Sequence, residues 1–161
     1  MSIIQVIGIL IIFISYLAMW GLIIKSKNIV EVISKKKLTK LRDKLINGIE
    51  SEIDEVILNG PRGDKRLPGN VSVCFRYVEG ESILLNLDSK GIAASSGSAC
   101  TSGSLDPSHV LLALGLSSEV AHGSVRLSLG LNNNEEQVDY FLEVMPEIID
   151  KLREMSALYE K

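Results

Sequence analysis

Aromatic side chains are scarce: Phe, Trp and Tyr make up 5% of the 161 residues, with a single Trp. That scarcity argues against the stacking platforms with which many single-strand nucleic-acid binders hold bases. Positive charge is not in excess either. A net charge of -3 and a pI near 5.4 disfavour a nucleic-acid protein held by phosphate neutralisation. Two cysteines supply neither a disulfide scaffold nor, by themselves, a four-ligand zinc site. No P-loop, dinucleotide fingerprint, zinc-spaced His/Cys set, Ser-His-Asp arrangement or internal repeat is visible. What is present is 46% hydrophobic and 23% charged residues, a balance that predicts a packed core. The length suits one domain with an appendage.

The average hides an asymmetry. Residues 1–24 contain no charged side chain, and from Ile3 to Ile24 only Gln5 and Ser15 are clearly polar. At about 1.5 Å rise per residue this run would reach across a hydrocarbon core of about 30 Å. Tyr16 and Trp20 lie where amphipathic rings often meet the headgroups. Residues 25–44 then hold eight basic and two acidic side chains, while 45–161 hold nine basic and 18 acidic. The expectation is a transmembrane helix over 1–24 and a basic juxtamembrane linker over 25–37. The positive-inside rule then predicts a single-pass membrane protein with its C-terminal domain, 38–161, in the cytoplasm. A cleaved signal peptide would need a basic start and a small-residue cleavage site, and neither is evident.

From Leu38 the chain reads as a globular α/β unit of the α+β kind, a small sheet with helices packed on it. Leu38, Leu41, Leu45, Ile49, Ile53, Val56 and Ile57 recur at helical spacing, and Asn59-Gly60-Pro61 stops that helix. Asn70–Val78 alternates and is β-branched, which predicts a strand. Glu81–Ser89 reads as a helix and Ile92–Ala94 as a short strand. Residues 95–106, dominated by Ser, Thr and Gly, predict a loop. Pro107 to Leu114 reads as a helix capped by Asp106, Ser124–Leu129 as a strand, and Glu135 to about Tyr159 as a helix interrupted near Pro146.

The loop around Cys100 draws attention first. With Ser95, Ser96, Gly97, Ser98, Ala99, Thr101, Ser102 and Gly103 around it, Cys100 has little steric cover. An exposed thiol on a mobile loop suits a sulfur-relay nucleophile, although a plain surface loop that contains a cysteine is the alternative. Cys74 sits in an apolar strand and reads as a small buried hydrophobe. Arg126, mid-strand in GSVRLSLG, either faces solvent or serves for bidentate binding of a carboxylate or phosphate. His109 and His122 are the two histidines. His109, just after the Cys100 loop, reads more readily as a capping or packing residue than as a modulator of the thiol.

The segments SSGSACTSGSLDPSHVLLALGL (95–116), AHGSVRLSLG (121–130) and NNNEEQVDY (132–140) resemble the C-terminal part of NifS/IscS-type cysteine desulfurases. RLPGNVSVCF (66–75) and VEGESILLNLDSKGIAAS (78–95) resemble the segments that precede it. The long Ser/Gly loop is similar to that of the IscS-like group. The resemblance implies a class-V aminotransferase of the pyridoxal-phosphate fold type I class, acting as a homodimer that converts L-cysteine to L-alanine and an enzyme persulfide. Cys100 would be the catalytic cysteine that holds the persulfide, for delivery to an iron–sulfur scaffold or another sulfur acceptor. It would also be a transient metal ligand shared with that scaffold. Arg126 would bind the substrate carboxylate, and Ser98 and Thr101 would support loop mobility.

The resemblance also implies a large cofactor-binding domain ahead of this region. Its Schiff-base lysine, its ring-stacking histidine and the Asp paired with the pyridine nitrogen have no counterpart in this sequence. A lone chain is therefore expected to lack the electron-sink chemistry and to need a separate polypeptide carrying the cofactor domain. A membrane-tethered persulfide carrier without enzymatic activity and an inactive gene remnant are the other expectations.

Overall fold

A computed structural model of the chain describes residues 3–96 and 107–159, without the side chains of residues 3–14, 23–24 and 28–30. The chain divides into two compact units, Met1–Lys37 and Leu38–Lys161. Helix α1 (Ile3–Glu52) runs through the first unit and into the second. In the first unit, described side chains such as Tyr16, Leu17, Met19, Trp20 and Leu22 are exposed.

The membrane expectation is overturned. Among the described residues no helix is long and apolar enough to cross a membrane. The single-pass, cytoplasm-facing assignment falls with it.

The second unit is a mixed α/β body built on a four-stranded antiparallel sheet. Its strands are β1 (Val56–Leu58), β2 (Asn70–Phe75), β3 (Ser95–Ser96) and β4 (Ser124–Ser128), in the spatial order β1-β2-β4-β3. Period-2 alternation gives the sheet two unlike faces. Val71, Val73, Val125 and Leu127 project to one face. There they are buried with Leu41, Leu45 and Ile49 of α1, Ile83 and Leu87 of α2 (Gly80–Ser89), and Phe141, Met145 and Ile149 of α5 (Glu135–Glu154). Each fully buried aliphatic side chain contributes about 1.5–3 kcal/mol, so this one-sided core carries most of the fold. Two short helices, α3 (His109–Ala113) and α4 (Ser118–His122), serve the opposite face, where Leu111 and Ala121 bury Cys74.

Several sequence expectations shift. The apolar stripe assigned to one helix through Ile57 breaks after Glu52. Glu55 takes a left-handed φ of 56°, and Val56–Leu58 pair with β2 instead. Strand β2 ends at Phe75 because Tyr77 also turns left-handed, at φ 68°. The strand expected at Ile92–Ala94 forms at Ser95–Ser96, where β4 offers a partner. The helix after Pro107 starts at His109, with Ser108 at the N-cap position. Asp106, the expected cap, lies outside the described residues. Helix α4, not foreseen, starts where the Ser117 side chain accepts from the Val120 N–H. Helix α5 passes through Pro146 without interruption, because Met145, Ile148 and Ile149 on its inner face are buried and hold the turn against the lost hydrogen bond. Its start is set by Asn134, in a capping box with Gln137.

Candidate functional site

The second face of the sheet is where chemistry collects. Register places Asn59, Ser72, Arg126 and Ser95 in one transverse row. The Asn59 N–H donates to the Ser72 carbonyl at 2.9 Å, Ser72 stands opposite Arg126, and Arg126 stands opposite Ser95. Opposed residues in an antiparallel ladder have β-carbons about 4.5–5.5 Å apart, so each member of the row is a side-chain neighbour of the next. Val125 and Leu127, on either side of Arg126 along β4, face the core, so Arg126 points to the other face. It is half-buried, as are Ser72 and Ser95.

The six arginines divide sharply. Arg42, 1% exposed, donates to the carbonyls of Arg66 and Leu67 and forks onto Asp43. Arg66 donates to the carbonyls of Pro61 and Asn59. Arg153, 3% exposed, donates to the carbonyls of Arg76, Asp54 and Glu55. Arg62 pairs with Glu50, and Arg76 with Glu55. Among the described residues the guanidinium of Arg126 has no such partner; only its backbone carbonyl is engaged, by the Ser95 hydroxyl at 3.4 Å. A half-buried fork of N–H donors without an acceptor is chemically an anion site, and its planar geometry suits a carboxylate.

Cys74 lies one row along on the same face, fully buried. Its thiol is pushed up from the ordinary range by burial, against a smaller opposing pull from the Asn59 amide. That amide donates to the Ser72 hydroxyl at 3.1 Å and to the Cys74 sulfur at 3.3 Å. A protonated, covered thiol is a packing residue, as the sequence indicated. His109 and His122 are both exposed.

Cys100, the catalytic and metal-ligand expectation, lies outside the described residues, as do Ser98 and Thr101. Among the described residues no group of three or more His, Cys, Asp or Glu side chains is placed to hold a metal ion. Of the expected site, the structure therefore places Arg126. Asn59, Ser72 and Ser95 were not foreseen. The alternation in NVSVCF puts Ser72 and Cys74 on one face, but no sequence pattern carries the register that brings Ser72 to Arg126.

The expected pyridoxal phosphate demands a lysine amine for its imine and N–H donors for its phosphate. The row around Arg126 holds no lysine. A cleft of about 410 Å³ between α2, α4 and the C-terminal tail is lined by Tyr77, Glu79, Ser82, Glu119 and His122 among others. A second, of about 540 Å³ beside α5, is lined by Ile92, Leu127, Asn133, Glu136 and Tyr140 among others. Neither has a lysine, and both present carboxylates that would repel a phosphate. Lys40 and Lys44 are engaged with Glu135 and Asp139. The described residues do not fit the cofactor.

The family model described as Aminotransferase class-V matches residues 19–141. A cysteine desulfurase IscS of Clostridium botulinum is 60% identical over 126 residues, which are 78% of this chain and 32% of that protein. A solved NifS-like protein from Rickettsia africae superposes with a TM-score of 0.62 at 27% identity, over 79% of this chain and 31% of that one. The apo structure of a cysteine desulfurase from Thermococcus onnurineus gives a TM-score of 0.58 at 28% identity, over 74% and 26% of the two chains. This chain thus spans about a third of the length of the curated relatives it matches.

Proposed function

The chain belongs to the class-V aminotransferase family, and we propose that it serves as the small, sulfur-handling domain of a cysteine desulfurase. That family and its desulfurase relatives use pyridoxal phosphate. Here the cofactor-binding residues come from outside the residues described, in a polypeptide that completes the site. The net reaction moves one sulfur atom: the Cys100 thiol and L-cysteine give a Cys100 persulfide and L-alanine. The atoms balance without an added oxidant or reductant.

The observation that supports this reading most directly is Arg126. Among the described residues it is the one arginine whose guanidinium has no protein acceptor. A bidentate guanidinium fixes the carboxylate of an amino acid and so orients the rest of the molecule. Strand β3, which pairs with Arg126, ends four residues before Cys100, so the proposed carboxylate site and sulfur acceptor are close along the chain. The organisation that goes with this role is a basic segment over 25–37 followed by the desulfurase domain over 38–161.

The test supplies a cofactor domain in trans. The purified full chain is mixed with L-cysteine, pyridoxal phosphate and a desulfurase cofactor domain, and Cys100 is read by mass spectrometry. The expected result is a gain of one sulfur atom at Cys100 together with alanine, both lost in Cys100→Ser and neither seen without the added domain. Alanine production with Cys100 unmodified would overturn the reading.

A further inference from the structure

Two donors stand side by side on the second face with no acceptor between them. Ser72 Oγ accepts from the Asn59 amide at 3.1 Å, and among the described residues its own proton has no acceptor. Its neighbour across the ladder is Arg126, which offers N–H groups only and so gives that proton nothing to bind. Asn59 is 8% exposed and is held from three directions. Its N–H goes to the Ser72 carbonyl, its carbonyl accepts from Arg66, and its side chain spans Ser72 and Cys74. An amide fixed this way fixes the hydroxyl it donates to, and directs the free O–H away from β1.

We propose that Ser72, oriented by Asn59, is a second donor to the amino-acid carboxylate held by Arg126. This rests on the carboxylate-binding role given to Arg126 above and deepens it. A carboxylate oxygen lying between the two strands accepts from both groups at once and removes the one mismatch in the row. The thiol of Cys74 has a structural part in the same device. It engages the far side of the Asn59 amide, donating to Oδ1 at 3.6 Å and accepting from Nδ2 at 3.3 Å. Serine at position 72 also keeps the row low, so the guanidinium stays open to a ligand.

The test is a titration of the full chain, followed by NMR at the Arg126 Nε–H resonance and, in every variant including Arg126→Gln, at the backbone N–H resonance of Leu127. The probes are L-alanine, L-alaninamide, which lacks the carboxylate, and inorganic phosphate. L-Alanine is expected to shift these resonances and L-alaninamide to leave them unmoved; a response to phosphate as strong as that to L-alanine would overturn the assignment to an amino-acid carboxylate. Ser72→Ala is expected to weaken L-alanine binding roughly tenfold, the value of one hydrogen bond to a charged group, and Ser72→Thr to restore it. Unchanged binding in Ser72→Ala, with binding abolished in Arg126→Gln, would overturn the role of Ser72 and leave Arg126 standing. Binding that survives Arg126→Gln would overturn both.

Discussion

Arg153 donates to the backbone carbonyl of Asp54 at 2.7 Å, joining positions 99 apart in sequence. The same guanidinium reaches the carbonyls of Glu55 and Arg76, so one side chain at the end of α5 ties the start of β1 to the end of β2. Both turns it touches contain or adjoin a left-handed non-glycine residue, Glu55 and Tyr77. Such conformations persist only where surrounding contacts hold them. The Tyr159 ring lies 5.4 Å from the guanidinium and closes it off.

Arg153→Leu should therefore cost about 3 kcal/mol, because three carbonyls lose a charged donor in a covered site. Urea denaturation of the full chain checks it. The midpoint is expected to fall with the slope unchanged, and Arg153→Lys to lie between the two.

Gly123 permits the closest backbone approach in the sheet region. A β-carbon there would stand 2.0 Å from the Phe75 carbonyl oxygen, a backbone atom that cannot swing aside. Its own φ of -80° is ordinary, so contact and not conformation is the constraint. Gly123→Ala should destabilise by about 3 kcal/mol, lowering the thermal midpoint by roughly 10 °C. Gly21→Ala, with nothing within 4 Å of the added carbon, is the control and should change little.

Cys74 should give the stability a basic limb. Burial raises its thiol above the ordinary value of 9.0, so the folded chain holds this proton more tightly than the unfolded one. The contribution is fully present below that value and is lost as pH rises through the folded thiol's own range. The difference in stability between the native sequence and Cys74→Ala, measured by denaturation from pH 7 to 10, should be flat at first and then narrow. In the folded chain Cys74 should also resist iodoacetamide, and react once denaturant is added.

A change at Arg126 should separate recognition from sulfur acceptance. Arg126→Gln should lower cysteine-dependent loading of Cys100 at least tenfold in the complemented assay. Loading from inorganic polysulfide, which has no carboxylate, should be unchanged. Stability should move by no more than about 0.5 kcal/mol, since no described protein group relies on that guanidinium.

Local patterns made much of this fold legible. The alternation of NVSVCF and the helical reading from Glu135 onward each act within a few residues, and each became an element of the expected kind. Val56 and Ile57 misled because apolar residues three and four apart fit a helix stripe as well as a strand next to one. What separated them is a left-handed turn at Glu55, stabilised by a residue 98 positions away. Pro146 misled in the opposite direction, since burial of its neighbours outweighed a local rule. The site divides in the same way. Arg126 stood out as a charge within an apolar strand, but Asn59, Ser72 and Ser95 join it only through register. Register is set by pairing across the sheet and leaves no trace in any one segment.

The outer strand β1 is three residues long. At the β1 border the sheet therefore shows a neighbouring chain only a few unpaired backbone groups, too few to seed the side-by-side growth that starts aggregation. The brevity of β1 limits what this border of the domain can recruit by backbone pairing, so recognition there falls to side chains.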